Sequence, residues 1–251
     1  YKRQDYEPKK SVPGVYTKLR PDAAYLAGKY ILEWEEKRME IKEKPAGAIY
    51  PPTICFSRKI GVGALEIADL LASKLGYRVV DREILEHIAT EAKLTEKTVA
   101  LFDERYPGKL SEFLTLAFGE KAFIKSDYAR HLFSAVFAIA ALGPTIFVGR
   151  GAHLLLERDR VLAVRIICSK AYRVNRLAGI LKIDEAEAEA RLDKIDRQKR
   201  AFYKRVYGKK EAHPSEFDLV INCDFISKPE WVAEIIETAF MKKFGDELVG
   251  V

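Results

Sequence analysis

Five short apolar runs constrain this chain more than any other feature: Thr53–Ser57, Arg78–Asp81, Thr145–Gly149, Val161–Cys168 and Leu219–Asp224. They are rich in β-branched residues and lack alternation of polar with apolar side chains. A strand without alternation is buried on both faces, the pattern of a parallel sheet covered by helices on each side. The intervening segments predict helices at Ala64–Leu75, Arg82–Ala92, Glu96–Phe102, Lys109–Ala117, Lys121–Leu142, Tyr172–Gly179, Glu185–Val206 and Pro229–Phe244. The expectation is a three-layer α/β domain over residues 51–251. With 251 residues, 48% hydrophobic and 32% charged, the chain can bury such a core, and the composition excludes disordered and collagenous classes.

Residues 1–50 read as an extension carrying one helix. Pro21-Asp22 opens that helix, whose apolar stripe of Leu26, Tyr30, Ile31 and Trp34 needs a cover, either the main domain or a second copy of the chain. A homodimer through this helix is therefore one expectation. Leu132–Val148 is uncharged, but Gly143-Pro144 interrupts it short of the roughly 20 residues that span a bilayer. A buried helix followed by a buried strand accounts for it, with no membrane partner. The opening YKRQDYEPKK is charged and has no apolar core, unlike a signal peptide. Cys55, Cys168 and Cys223 show no CxxC spacing and lie in strand-like runs, which predicts buried, reduced thiols and a cytoplasmic location. His87, His131, His153 and His213 have no metal-ligand spacing, so the sequence names no metal ligands.

The carboxyl ends of parallel strands line the ligand crevice of open α/β sheets, so the residues there matter most. The first run leads into Ser57-Arg58-Lys59-Ile60-Gly61-Val62-Gly63-Ala64-Leu65-Glu66 and then a helix. Such a turn holds phosphate through backbone N–H groups and the helix N-terminus, although a tight packing turn looks the same. The usual GxxxxGK[ST] pattern fails, because Ala64 and Leu65 stand where lysine and hydroxyl belong. A rival reading takes Gly61-x-Gly63 with Asp81 as a dinucleotide fingerprint, Asp81 meeting a ribose. Asp81 could equally cap the next helix. The third run ends in Gly149-Arg150-Gly151, where glycines give a ligand access and Arg150 offers a planar fork suited to phosphate.

Residues 173–210 hold twelve Lys/Arg and six Asp/Glu, a surplus equal to the whole chain's net charge of +6. An arginine-bearing lid over a polyphosphate has this composition, and Arg173, Arg176 and Arg200 are its candidates. A solvated amphipathic helix with Leu192, Ile195, Phe202 and Val206 buried has it too. Tyr203 and Tyr207 interleaved with basic residues also allow an RNA-binding helix, which no RNA-binding motif supports.

Taken in order, SRKIGVGALEIADLLASKLGYRVVDREIL, IFVGRGAHLLL, VRIICSKAYRVNRL, RLDKIDRQKRAFYKRVYG and FDLVINCDFIS resemble the cytidylate kinase-like family of P-loop proteins over roughly residues 53–245. LFDERYPGKLSEFL and the long helix before GPTIFVGRG look like that family's substrate-side insert. The resemblance implies a P-loop NTPase-like fold with a five-stranded parallel sheet, helical insert and helical lid. It implies transfer of a phosphoryl group from ATP, with Mg²⁺, to a nucleoside monophosphate such as CMP or dCMP. Ser57 to Glu66 would form the phosphate loop. Asp81, Arg82, Gly149, Arg150 and Gly151 would lie on the monophosphate side. Arg173, Arg176, Asp196 and Arg200 would belong to the lid, with Asn222 and Asp224 near the nucleotide base. The family's loop usually reads GSGGRE, and Leu65 replaces its arginine, leaving this loop without a cation of its own. Arg58 or Lys59 would have to reach in from upstream. The alternative implied function is a catalytically inactive nucleotide-binding protein that regulates or binds a partner.

Overall fold

The apolar runs form strands β1 (Thr53–Arg58), β2 (Arg78–Asp81), β3 (Thr145–Val148), β4 (Val161–Ile167) and β5 (Leu219–Asn222) in a computed structural model of the chain. It describes residues 21–43, 50–90, 127–209 and 212–248. The expected helices Glu96–Phe102 and Lys109–Ala117, the start of Lys121–Leu142 and residues 1–20 lie outside the described residues. The strands pair all-parallel in the order β2-β3-β1-β4-β5. The helices described are α1 (Ala23–Glu43), α2 (Ala64–Leu75), α3 (Arg82–Ala89), α4 (Asp127–Leu142), α5 (Lys170–Leu181), α6 (Glu185–Tyr207) and α7 (Pro229–Leu248).

Side chains alternate across the sheet even though the strand sequences do not alternate in polarity. Cys55, Val80, Phe147 and Ala163 enter one core with α1, α3 and α4. Ile54, Phe56, Ile146, Val148, Leu162 and Val164 enter the other with α2 and α7. Both faces being apolar explains the unbroken hydrophobic runs. Several element ends differ by a few residues from the sequence expectation, for local reasons. Gly149 has φ 102°, which ends β3 one residue early. Asn222 Oδ1 accepts the Asp224 N–H at 3.0 Å, folding the chain out of β5. Ser169 Oγ accepts the Tyr172 N–H at 3.1 Å, so α5 starts earlier than the sequence expectation.

The N-terminal helix is covered by this chain's own domain. Trp34 is 1% exposed and Tyr30 is buried among residues of α3 and α4, with Leu26 and Ile31 packed at the margin. Glu33 receives both terminal nitrogens of Arg78 at 3.1 and 3.2 Å, tying α1 to β2. Leu132–Leu142 is a buried helix followed at Gly143-Pro144 by a buried strand. Among the described residues no helix is long and apolar enough to cross a membrane. Cys55 and Cys223 are buried and Cys168 is half-buried, a partial correction to the expectation of three buried thiols. Burial pushes the Cys168 thiol up to about 12 and the Cys223 thiol up to about 11. These thiols are held in their unreactive form.

Candidate functional site

The ends of β1 and β3, the start of α3 and one face of α6 line an open cavity of about 540 Å³. Its lining carries five cations, Arg58, Arg82, Arg150, Lys199 and Arg205, against one carboxylate, Glu86. Tyr128, Phe202 and Tyr203 make an aromatic wall. Arg58 is the last residue of β1, and Arg82 and Glu86 stand on the first turns of α3.

Arg150 is aimed by its backbone. Gly149, Arg150 and Gly151 have φ values of 102°, 55° and 72°, and only the glycines adopt this region without strain. A Cβ on Gly151 would lie 2.7 Å from the Tyr207 ring, so the turn is pressed beneath α6. The Tyr207 hydroxyl donates to the Arg150 carbonyl. The guanidinium then lies 4.1 Å over the Phe202 ring and pairs with Glu86.

The cations disturb one another. Burial, then Arg82, lowers Arg58 to about 10, and the same two causes lower Arg150 to about 10. Burial, then Arg58, Arg165 and Lys59, pushes Lys199 down to about 7. The Nε atoms of Arg58 and Arg150 are buried without a hydrogen-bond partner. A bound anion would relieve this repulsion and supply the missing acceptors.

The glycine turn between β1 and α2 has its own geometry. Gly61 and Gly63 both have φ 87°, and Gly63 caps α2 without a side chain. Val62, Ala64 and Leu65 are buried in the core shared by α2 and α7. Lid residues cover the glycines. The Arg176 guanidinium lies 3.2 Å from where a Gly63 Cβ would be, and the Arg173 Cβ lies 3.4 Å from that of Gly61. Arg176 pairs with Glu66 at 2.8 Å, and Arg173 pairs with Asp196 at 2.8 Å.

The candidate residues thus fall into groups. Arg58, Arg82, Gly149 and Arg150 meet in the large cavity. Ser57, Arg58, Lys59, Asp196 and Arg200 meet in a smaller one of about 110 Å³, beside Arg165, Lys199 and Tyr203. Arg173, Arg176, Gly61, Gly63 and Glu66 gather over the turn. Asp81 lines neither cavity; its Oδ1 accepts the N–H groups of Glu83 and Ile84 at 2.9 and 3.1 Å and caps α3. Asp224 accepts from the Ser169 N–H and Oγ at 2.7 and 2.9 Å, and its own N–H donates to Asn222 Oδ1. Sequence reasoning missed Glu86, Tyr128 and Gln198 and left Lys199 and Arg205 among the basic residues of 173–210 without a role of their own. The signal was present: Ile195, Gln198, Lys199 and Phe202 follow helical spacing, so a lysine shared a face with two residues of the buried stripe.

Magnesium fits this chain's own side chains poorly. Among the described residues no three His, Cys, Asp or Glu gather as a metal site. Leu65 stands where a P-loop hydroxyl would meet the ion, and Glu66 and Asp196 are ion-paired.

Residues 53–224 match the sequence model of the cytidylate kinase-like family, a span that opens with β1 and closes just after β5. The crystal structure of an uncharacterized protein from Eubacterium ventriosum is similar, with TM-score 0.54 and 20% identity, over 74% of this chain and 98% of that one. At that identity the likeness concerns the fold. A shikimate kinase from Bacteroides thetaiotaomicron matches with TM-score 0.37 and 13% identity, over 79% of this chain and 98% of that one, too distant to carry an argument. No curated protein matches. The parallel sheet order, the turn after its central strand and the match across residues 53–224 show that this chain belongs to the cytidylate kinase-like family and has a P-loop nucleoside monophosphate kinase-like fold.

Proposed function

We propose that the chain transfers the γ-phosphoryl group of ATP to a nucleoside monophosphate, with CMP or dCMP as acceptor. The observation that carries this reading is the cation-rich cavity at the strand ends: five cations, one carboxylate and an aromatic wall. That lining suits a ligand with a phosphate at one end and a flat base at the other. The acceptor phosphate displaces Glu86 from Arg150 and is held by Arg58, Arg82 and Arg150. The base lies against Phe202 and Tyr203. Backbone N–H groups between Ile60 and Leu65 hold the ATP phosphates, since those of Lys59 and Glu66 already donate to the Ile166 and Gly63 carbonyls; Arg173, Arg176, Asp196 and Arg200 close from the lid, with Asn222 toward the donor base.

An oxygen of the acceptor phosphate attacks the γ-phosphorus. The new P–O bond forms as the bond to the β–γ bridging oxygen breaks, and ADP leaves with that electron pair. The chain contributes position, charge and exclusion of water, with no covalent intermediate. We place the reaction in the cytoplasm. Any homodimer through α1 would use its exposed Tyr25, Leu32 and Met39, because the opposite stripe is covered.

A second reading, a nucleotide-binding protein without turnover, is favoured by one observation: Val62, Ala64 and Leu65 give the turn no cation. ADP release from ATP and Mg²⁺ with CMP, dCMP, UMP, AMP and GMP decides between them. The kinase reading expects acceptor-dependent turnover that falls roughly 10²–10³-fold in Arg150→Ala. No turnover with any acceptor, while CMP still raises the melting temperature, favours the second reading.

A further inference from the structure

The cavity of about 110 Å³ shares Arg58, Lys199 and Tyr203 with the large cavity, so these three side chains form a common wall. On its far side stand Lys59, Arg165 and Arg200. Its only carboxylate, Asp196, is held by Arg173 at 2.8 Å. This space is large enough to hold an oxyanion. Lys199 differs from the lid arginines in how it is held. Arg173 and Arg176 point into carboxylates, whereas Lys199 Nζ donates to the neutral Arg58 carbonyl.

We propose that the small cavity is a second oxyanion subsite, adjoining the acceptor cavity, and that Lys199 in the common wall is the cation that serves both, beside Ser57 to Lys59 at the end of β1. That the oxyanion is a phosphoryl group rests on the function proposed above; that an anion binds here rests on the lining alone. A ligand with two phosphoryl groups would place one in each cavity, with Lys199 and Arg58 between them.

The groups facing Lys199 support a pH signature. They are Ser57, Arg58 and Lys59 at the end of β1, Arg165 on β4, and Asp196, Arg200 and Tyr203 on α6. Across the large cavity stand Arg82, Glu86 and Arg150. Lys199 is the member of this set pushed down to about 7, so it is charged below that pH and neutral above it.

Sulfate is the probe, since its charge stays constant across neutrality. Calorimetric titration should show one more sulfate per chain in the parent than in Lys199→Met or Arg165→Gln. Arg165→Gln should keep the rise in melting temperature that CMP causes, because Arg165 lies outside the acceptor cavity. Parent affinity at this site should weaken about tenfold as pH rises from about 6 to about 8, and Lys199→Arg should flatten that dependence. Equal sulfate stoichiometry in the parent and both neutral variants overturns the proposal, as does a parent profile that Lys199→Arg leaves unchanged. Loss of the CMP response in the parent strikes the proposed function instead and leaves the sulfate result standing.

Discussion

Arg150 shows how much of the site rests on single residues. Its φ of 55° is held by glycines on each side and by Tyr207 above. Gly151→Ala combines strain at φ 72° with a Cβ 2.7 Å from the Tyr207 ring. The expected loss is about 1–3 kcal/mol in denaturant unfolding, with weakened CMP binding because α6 must move away from the cavity. Unchanged stability and CMP affinity would mean that Tyr207 does not clamp this turn. Arg150 was legible from sequence because an arginine between glycines at a strand end has few other uses. Glu86 was not, because nothing local marks a carboxylate that meets an arginine 64 residues away. Lys199 was hidden for a different reason: a lysine among so many basic residues on an amphipathic helix resembles solvated charge until its neighbours on that face are counted.

The strands were the most legible elements, because burial on both faces leaves a composition that few other structures tolerate. Their order was not legible from composition; the family resemblance implied five parallel strands, and the order is visible in the register of β1 with β3 and β4. The cover over the glycine turn also lay beyond the sequence, since Glu66 and Arg176 meet across 110 residues. For α1 the stripe predicted a covering surface but left its owner open, and the owner is the domain itself. Trp34→Ala should therefore cost about 3–5 kcal/mol of stability, read as a lower denaturant midpoint. A change below about 1 kcal/mol would mean that α1 is an attached extension and not part of the core.

Across the whole molecule, charge is distributed with a purpose. Lys+Arg number 43 and Asp+Glu 37, a small excess for the chain as a whole. The two cavities together expose eight cations to two carboxylates, both already paired with arginines. Concentrating like charge in a recess raises the local concentration of anionic ligands and weakens the fold slightly until one binds. A basic patch for nucleic acid would instead spread over a convex face. Here the cations converge on two recesses beside aromatic rings, which favours a small phosphorylated ligand.

The most direct test compares CMP with cytidine by calorimetry, in the parent and in Arg150→Ala. The two ligands share base and sugar, so their difference isolates the phosphate. The parent should bind CMP at least about 100-fold more tightly than cytidine, and Arg150→Ala should remove most of that difference while cytidine affinity holds. Equal affinity for the two ligands in the parent, or a phosphate preference that survives Arg150→Ala, would contradict the assignment of the strand-end cavity as the acceptor phosphate site.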